Sequence, residues 1–251
     1  MKSFVRTLAL VALVVSLTGC LKVRQSVTVM PDGSGMVELS IGMSPQLIAM
    51  AQQQDQDPFE EFQPEAIDEN MQGLVAYSEP AQEVEEDGYT YLTIRGYFTD
   101  VNEVAIAGMN DNGDVQTTFA YARDGDSATL TVTNCIVLAA ASNYDPPKEE
   151  DVQMMRTMMA GLEFADRFTL PGNPAAIEGL EAEGNTVEMS VDLDDMIEGT
   201  GLLETFRNQE SLTFEIAEVD VDDEAVEAFQ AEMEAAIEAW ENREEAEDDD
   251  K

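Results

Sequence analysis

The chain carries 53 acidic side chains against 12 basic ones, a formal charge of −41 over 251 residues. Any fold open to it must bury apolar side chains while spreading like charges over its whole surface, because a compact state so charged repels itself at low salt. Strands of period two and helices with one apolar stripe meet both demands. With 44% apolar residues, the chain can build a sizeable core at this length. The charge also excludes functions. Nucleic-acid binding needs a basic face that releases counterions, and a polybasic grip on lipid headgroups needs the same. The acidity reads as that of a marine or halophilic protein, since the Debye length falls to roughly 3 Å at about 1 M salt.

The first twenty residues form a separate unit. Lys2 and Arg6 make a short basic region, Leu8 to Val15 is an unbroken apolar run, and Leu17-Thr18-Gly19-Cys20 follows. The apolar run is shorter than the ~20 residues that span a bilayer. The pattern resembles a bacterial lipoprotein signal peptide with its lipobox. The resemblance implies removal of residues 1–19, a diacylglyceryl thioether on Cys20, and often a further acyl chain such as palmitate on its amine. One chain holds a protein weakly, at about 0.8 kcal/mol per buried methylene, and two hold it firmly. Leu21 stands where an aspartate commonly retains such proteins at the inner membrane. The resemblance therefore implies an extracytoplasmic place in the cell envelope, at the outer membrane of a diderm host or on the surface of a monoderm one.

Beyond the leader, the pattern predicts an α+β domain over 20–219, an amphipathic helix over 220–243 and a disordered acidic tail over 244–251. Leu21–Met30 and Met36–Met43 alternate as strands around the turn Pro31-Asp32-Gly33-Ser34-Gly35, and Ser44-Pro45 opens a helix to about Gln53. Further strands are expected at Val75–Tyr77, Tyr89–Phe98, Val115–Arg123, Ala128–Asn134, Phe164–Leu170, Thr186–Leu193 and Leu212–Val219. A short helical segment is expected at Val101–Gly108 and a helix at Glu149–Gly161. In the last helix Val226, Phe229, Met233, Ile237 and Trp240 recur at spacings of three and four. The expected architecture is a hairpin-rich, antiparallel, curved sheet carrying three or four helices, with the long acidic helix last.

The chain has no histidine, which removes Ser-His-Asp triads, Cys-His dyads and most zinc or copper sites. No cofactor motif occurs. Carboxylates are too numerous for a catalytic pair to stand out, so a cell-wall hydrolase using two acids is the lesser alternative. No specific metal site is expected. The turns Asn110-Asp111-Asn112-Gly113-Asp114 and Asp124-Gly125-Asp126 invite only weak cation binding and lack the twelve-residue calcium loop. With Cys20 acylated, Cys135 stands alone and reads as a buried, inert thiol. Met154, Met155, Met158 and Met159 form two i,i+4 pairs on one helix, an adaptable apolar face for an acyl chain or a partner. The expectation is a non-enzymatic, lipid-anchored binder of an amphiphile or another envelope component. The alternative is an assembly lipoprotein docking a partner through its last helix.

The segment Val27-Thr28-Val29-Met30-Pro31-Asp32-Gly33-Ser34-Gly35, and later Phe168-Thr169-Leu170-Pro171-Gly172 with Gly184-Asn185-Thr186-Val187, is similar to the strand–turn–strand pattern of mycobacterial LppM-type lipoproteins. That resemblance spans about Cys20 to Val219. It implies an extracytoplasmic α+β domain and transfers no functional residue. Met189 stands where that group often has tryptophan, and a charged helix replaces the membrane segment some of its members carry. If screening matters as the charge implies, the unfolding midpoint of the mature domain rises between about 0.05 and 1 M NaCl. A chemical-denaturation series across salt checks this, and a flat midpoint removes the saline reading.

Overall fold

The computed structural model describes residues 21–53, 59, 71–78, 81–84, 88–107, 116–142, 144–177, 179–219 and 222–249. Strands β1 (Leu21–Val29) and β2 (Gly35–Met43) form the opening hairpin, paired from Leu21↔Met43 to Val29↔Gly35. Its turn is held locally: Gly33 takes φ +87°, and Asp32 Oδ1 accepts from the Ser34 amide at 3.0 Å and hydroxyl at 2.6 Å. Strands β3 (Met71–Gln72), β4 (Ala76–Tyr77), β5 (Ala81–Val84), β6 (Thr90–Phe98), β7 (Ala105–Ala107), β8 (Gln116–Asp124), β9 (Ser127–Thr133), β10 (Glu163–Thr169), β11 (Ala182–Glu183), β12 (Thr186–Asp192) and β13 (Ser211–Ile216) follow.

These strands part into two sheets. The first runs β11-β12-β10-β1-β2-β6-β4, with β5 also on β6; the second runs β13-β9-β8-β7-β3. All pairings of named strands are antiparallel except β1 with β10, which are parallel from Lys22↔Glu163 to Thr28↔Thr169. Alternation decides which face is buried. Val27, Val37, Ile94, Phe98, Phe168 and Met189 from the first sheet join Phe119, Leu130, Val132 and Phe214 from the second in one core. Phe168 and Phe214 meet at 5.4 Å between ring centroids.

Six α-helices lie among the described residues: α1 (Pro45–Gln53), α2 (Ile136–Ser142), α3 (Glu149–Met158), α4 (Leu193–Glu198), α5 (Leu202–Thr205) and α6 (Asp223–Asp249). Ser44 Oγ accepts from the Leu47 amide at 3.3 Å, capping α1 as its sequence suggests. Asp222 Oδ1 does the same for α6, accepting from Glu224 and Ala225. The apolar stripe of α6 lies on the outer side of the first sheet. There Phe229, Met233, Ile237 and Trp240 meet Met36, Ala76 and Tyr97, and Trp240 meets Tyr77 at 5.1 Å.

Several expectations change. One sheet becomes two, since strand order rests on long-range pairing that local patterns do not carry. Val101–Gly108 is not a helix: Asp100 caps a single 3-10 turn, Val101–Glu103, and β7 follows. Buried Val104 and Ile106 set a period of two there. Ile136–Ser142, for which no element was expected, forms α2, with Val137, Leu138 and Ala141 buried. Helix α3 ends at Met158 rather than Gly161, whose φ of +75° suits a turn. Helix α6 continues through 244–249, where a disordered tail was expected, because Glu and Ala favour helix once it has begun. Four shorter elements, β3, β11, α4 and α5, carry too few residues to show a period.

Gly35 allows the closest approach inside the hairpin: a Cβ there would overlap the Thr28 carbonyl oxygen and the Phe98 ring. Gly35→Ala is expected to lower the unfolding free energy by about 2–3 kcal/mol, read by chemical denaturation against the parent chain.

Candidate functional site

The outer face of the first sheet is built by the alternate residues that the core does not take. Lys22, Arg24, Ser26, Glu38, Ser40, Tyr91, Thr93, Arg95, Ala165, Arg167 and Glu188 share it by register. Of the 12 basic residues, four stand on this face: Lys22, Arg24, Arg95 and Arg167. Short side chains at Ser26, Ser40, Thr93 and Ala165 leave a shallow cleft of about 230 Å³ between Arg24, Glu38 and Arg167. The Arg24 guanidinium lies 4.9 Å from the centre of the Tyr91 ring and the Lys22 ammonium 4.7 Å from that of Tyr89. Gly42 on β2 makes room for the ring of Tyr91, its partner on β6. Ser40 Oγ and Thr93 Oγ1 are 2.7 Å apart, and Arg95 Nε donates to Glu38 Oε2 at 2.9 Å. Glu38 raises the Arg95 pKa through that bond. Two guanidiniums, Arg24 and Arg167, and two carboxylates, Glu38 and Glu188, line the cleft over a floor of hydroxyls; the planar fork of arginine suits carboxylate or phosphate.

Helix α6 closes one end of this face. Tyr97 Oη donates to Glu232 Oε1 at 2.8 Å, and burial together with that carboxylate raises the tyrosine pKa to about 12. The cleft is thus bounded by α6 at one end and by the first residues of β1 at the other.

A second polar group lies inside the core. Asp166 is fully buried and stands opposite Gln25, itself 3% exposed, in the parallel β1–β10 pair. Asp166 Oδ2 accepts from the Val137 amide, in the first turn of α2, at 2.7 Å. Asp166 Oδ1 and Gln25 Nε2 have no hydrogen-bond partner among the described residues. Burial raises the Asp166 pKa from its ordinary 3.8 to about 6, against the opposing pull of the Val137 amide and the Cys135 thiol. Cys135 is buried and free, and desolvation, with Asp166 beside it, pushes its thiol well up. Its burial is as expected.

The residues singled out from sequence do not gather into one site. Cys20 lies outside the described residues, one position before β1. On α3 and the turn after it, Met154 is 54% exposed, Met159 36% exposed and Met155 half-buried; the Met158 side chain lies outside the description. The cleft near this helix, about 240 Å³, is lined by Arg156, Ala160, Gly161, Leu162, Asp192, Leu193 and Asp194. Of the two acidic turns, Asn110–Asp114 lies outside the described residues. The other closes the β8–β9 hairpin, with Gly125 at φ +63° and its carbonyl accepting from Arg123 Nε at 2.9 Å. Among the described residues no three His, Cys, Asp or Glu side chains converge as metal ligands. No helix among them is long and apolar enough to cross a membrane.

Two features went unread. Asp166 shares its phase with Phe164 and Phe168, so a carboxylate on a buried strand face was there to be found. The cleft was not, since Arg24 and Arg167 become neighbours only through the parallel β1–β10 pairing. No protein-family model matches the chain, and no curated protein matches it. Among solved structures it is similar to the folded domain of the LppM protein of Mycobacterium tuberculosis, determined by NMR. The identity is 13% and the TM-score 0.35, over 81% of this chain and 93% of that one. A likeness at that level carries no argument about what the chain does.

Asp166 has a measurable pH signature. The unfolded carboxyl titrates near 3.8 and the folded one near 6, so its neutral form supports the fold below that window and the support is lost as pH rises through it. The loss is on the order of 3 kcal/mol for a shift of about two units. Asp166→Asn keeps the shape without titrating. Its stability relative to the parent is expected to improve by that order between pH 4 and 6.5, and a constant difference would show that the buried carboxyl does not titrate there.

Proposed function

We propose that the chain is a non-enzymatic lipoprotein of the bacterial cell envelope, anchored through lipid on Cys20 and binding an amphiphile or another envelope component. The observation that carries this is the leader: a basic start, an apolar run too short to span, and Leu17-Thr18-Gly19-Cys20. The domain's first strand starts at Leu21, so cleavage before Cys20 removes nothing that any described strand uses. Residues 1–19 are the signal peptide on this reading, and the remainder is the extracytoplasmic domain. In a diderm host, Leu21 after the cysteine directs it to the outer membrane.

The binding role rests on two surfaces. The arginine-flanked cleft offers hydrogen-bond donors to an anionic group, and Met154, Met155 and Met159 offer adaptable apolar contact. An assembly role is the second reading, and the placement of α6 defines its form. The apolar stripe of that helix lies on its own sheet, so a docking partner would meet the acidic outer side.

Metabolic labelling of the full chain with a palmitate analogue tests the anchor. The parent is expected to incorporate label and sediment with membranes, whereas Cys20→Ala loses both. An unlabelled parent in the soluble fraction overturns the proposal.

A further inference from the structure

The hairpin places a second surface beside the lipid site. Leu21, the residue after Cys20, pairs with Met43, and α1 begins at Pro45. Strand neighbours lie about 4.8 Å apart and successive Cα atoms about 3.8 Å, so α1 starts within roughly 13 Å of Leu21.

This helix has an unusual composition for its chain. Leu39 to Gln54 contains no charged side chain, although 26% of all residues are charged and a run of that length would ordinarily hold about four. Ser127 to Tyr144 is also uncharged, but that run supplies β9 and α2 to the core. Helix α1 instead lies at the surface with no fully buried residue. Leu47 and Ile48 pack toward Ile41, Met43 and Leu92, while Met50 is 46% exposed.

The same pole gathers further exposed methionine. Strand β10 starts at Glu163, opposite Lys22 in the parallel pair, so the preceding turn lies level with the start of β1. Met159 is in that turn, its carbonyl accepting from the Leu162 amide at 2.9 Å. Met154 precedes it on α3. Four large apolar side chains are exposed among the described residues, and these three methionines are among them. Three of the carboxylates here meet a cation, two of them sharing one arginine, and a fourth caps a helix. Lys22 meets Glu163 at 3.5 Å, Arg156 meets Asp194 at 3.5 Å and Glu198 at 3.4 Å, and Asp192 caps α4 by accepting from the Asp195 amide.

We propose that this pole, formed by α1 and the Met154–Met159 segment, is the face that rests on the lipid bilayer, with Met50 and Met159 entering the headgroup–acyl boundary. The inference rests on acylation at Cys20 and gives the amphiphile of that reading a definite form, the membrane surface itself. The partner is a bilayer because a lipid held at residue 20 brings α1 to the headgroups by chain length alone. Helix α1 makes the contact because it is uncharged: a face of free carboxylates is repelled by anionic lipid, and Leu39–Gln54 holds none. Unbranched, polarisable methionine fits an irregular apolar boundary, and surface helices of this kind enter it by about 5–10 Å.

The test uses the full chain, processed in cells and reconstituted into phosphatidylethanolamine–phosphatidylglycerol vesicles. Nitroxide labels are placed through Met50→Cys, Met159→Cys and Thr99→Cys, the last just beyond β6 at the opposite end of the sheet. Collision with oxygen, which concentrates in lipid, is compared with collision with a water-soluble nickel chelate. The oxygen-to-nickel ratio at positions 50 and 159 is expected to exceed that at 99 several-fold. Equal ratios at all three sites, in protein whose Cys20 is shown to be acylated, overturn this inference and leave the anchor standing. Unacylated protein that fails to bind vesicles overturns both.

Discussion

The apolar layer between the two sheets is what the rest of the molecule depends on. The described domain has no disulfide, its one cysteine there being free, and a net charge of −41 works against compaction. Cohesion therefore comes from burial of the inner faces, where Phe98, Phe168 and Phe214 are fully enclosed. Alternation keeps the acids out of that layer, with Asp166 the exception. The exception adjoins the first turn of α2, whose Val137 amide occupies one carboxylate oxygen. Elsewhere the strands hold their charge on the outer faces, and that division gives the first sheet an outward surface with a character of its own.

That surface has three zones in sequence along β1. Helix α6 covers the zone around Met36 and Tyr97, the arginine-flanked cleft occupies the middle, and the first residues of the strand lead to α1. Covering one zone with an acidic helix has a local cost in repulsion. Tyr97 relieves part of it by donating to Glu232, and aromatic contacts from Tyr77 to Trp240 and Tyr97 to Phe229 hold the helix in place. The middle zone gathers cations that are scarce in the rest of the chain.

Much of the fold was legible where information is local. The opening hairpin, the Ser44 cap, the β8–β9 hairpin around Asp124-Gly125-Asp126 and the stripe of α6 follow from turn chemistry and periodicity, and the structure has each of them. What escaped was set by distance along the chain. Nothing near Lys22 indicates that Glu163 will lie beside it, and without that pairing the cleft cannot be inferred; the second sheet rests likewise on the distant pairing of β9 with β13. The segment Val101–Gly108 misled because its cap is real while its buried residues alternate. The methionines of α3 were visible as a cluster, but their exposure depends on how that helix sits.

The placement of β1 has a mechanical consequence. It is an interior strand, bonded on one side to β2 along nine paired positions and on the other to β10 along seven. A pull on residue 20 runs along this strand, so both ladders resist together in shear rather than opening one bond at a time. A force applied there would therefore be transmitted to the centre of the domain. The same arrangement orders assembly: the first strand to emerge waits for residues 163–169, and the sheet cannot close until most of the chain has been delivered.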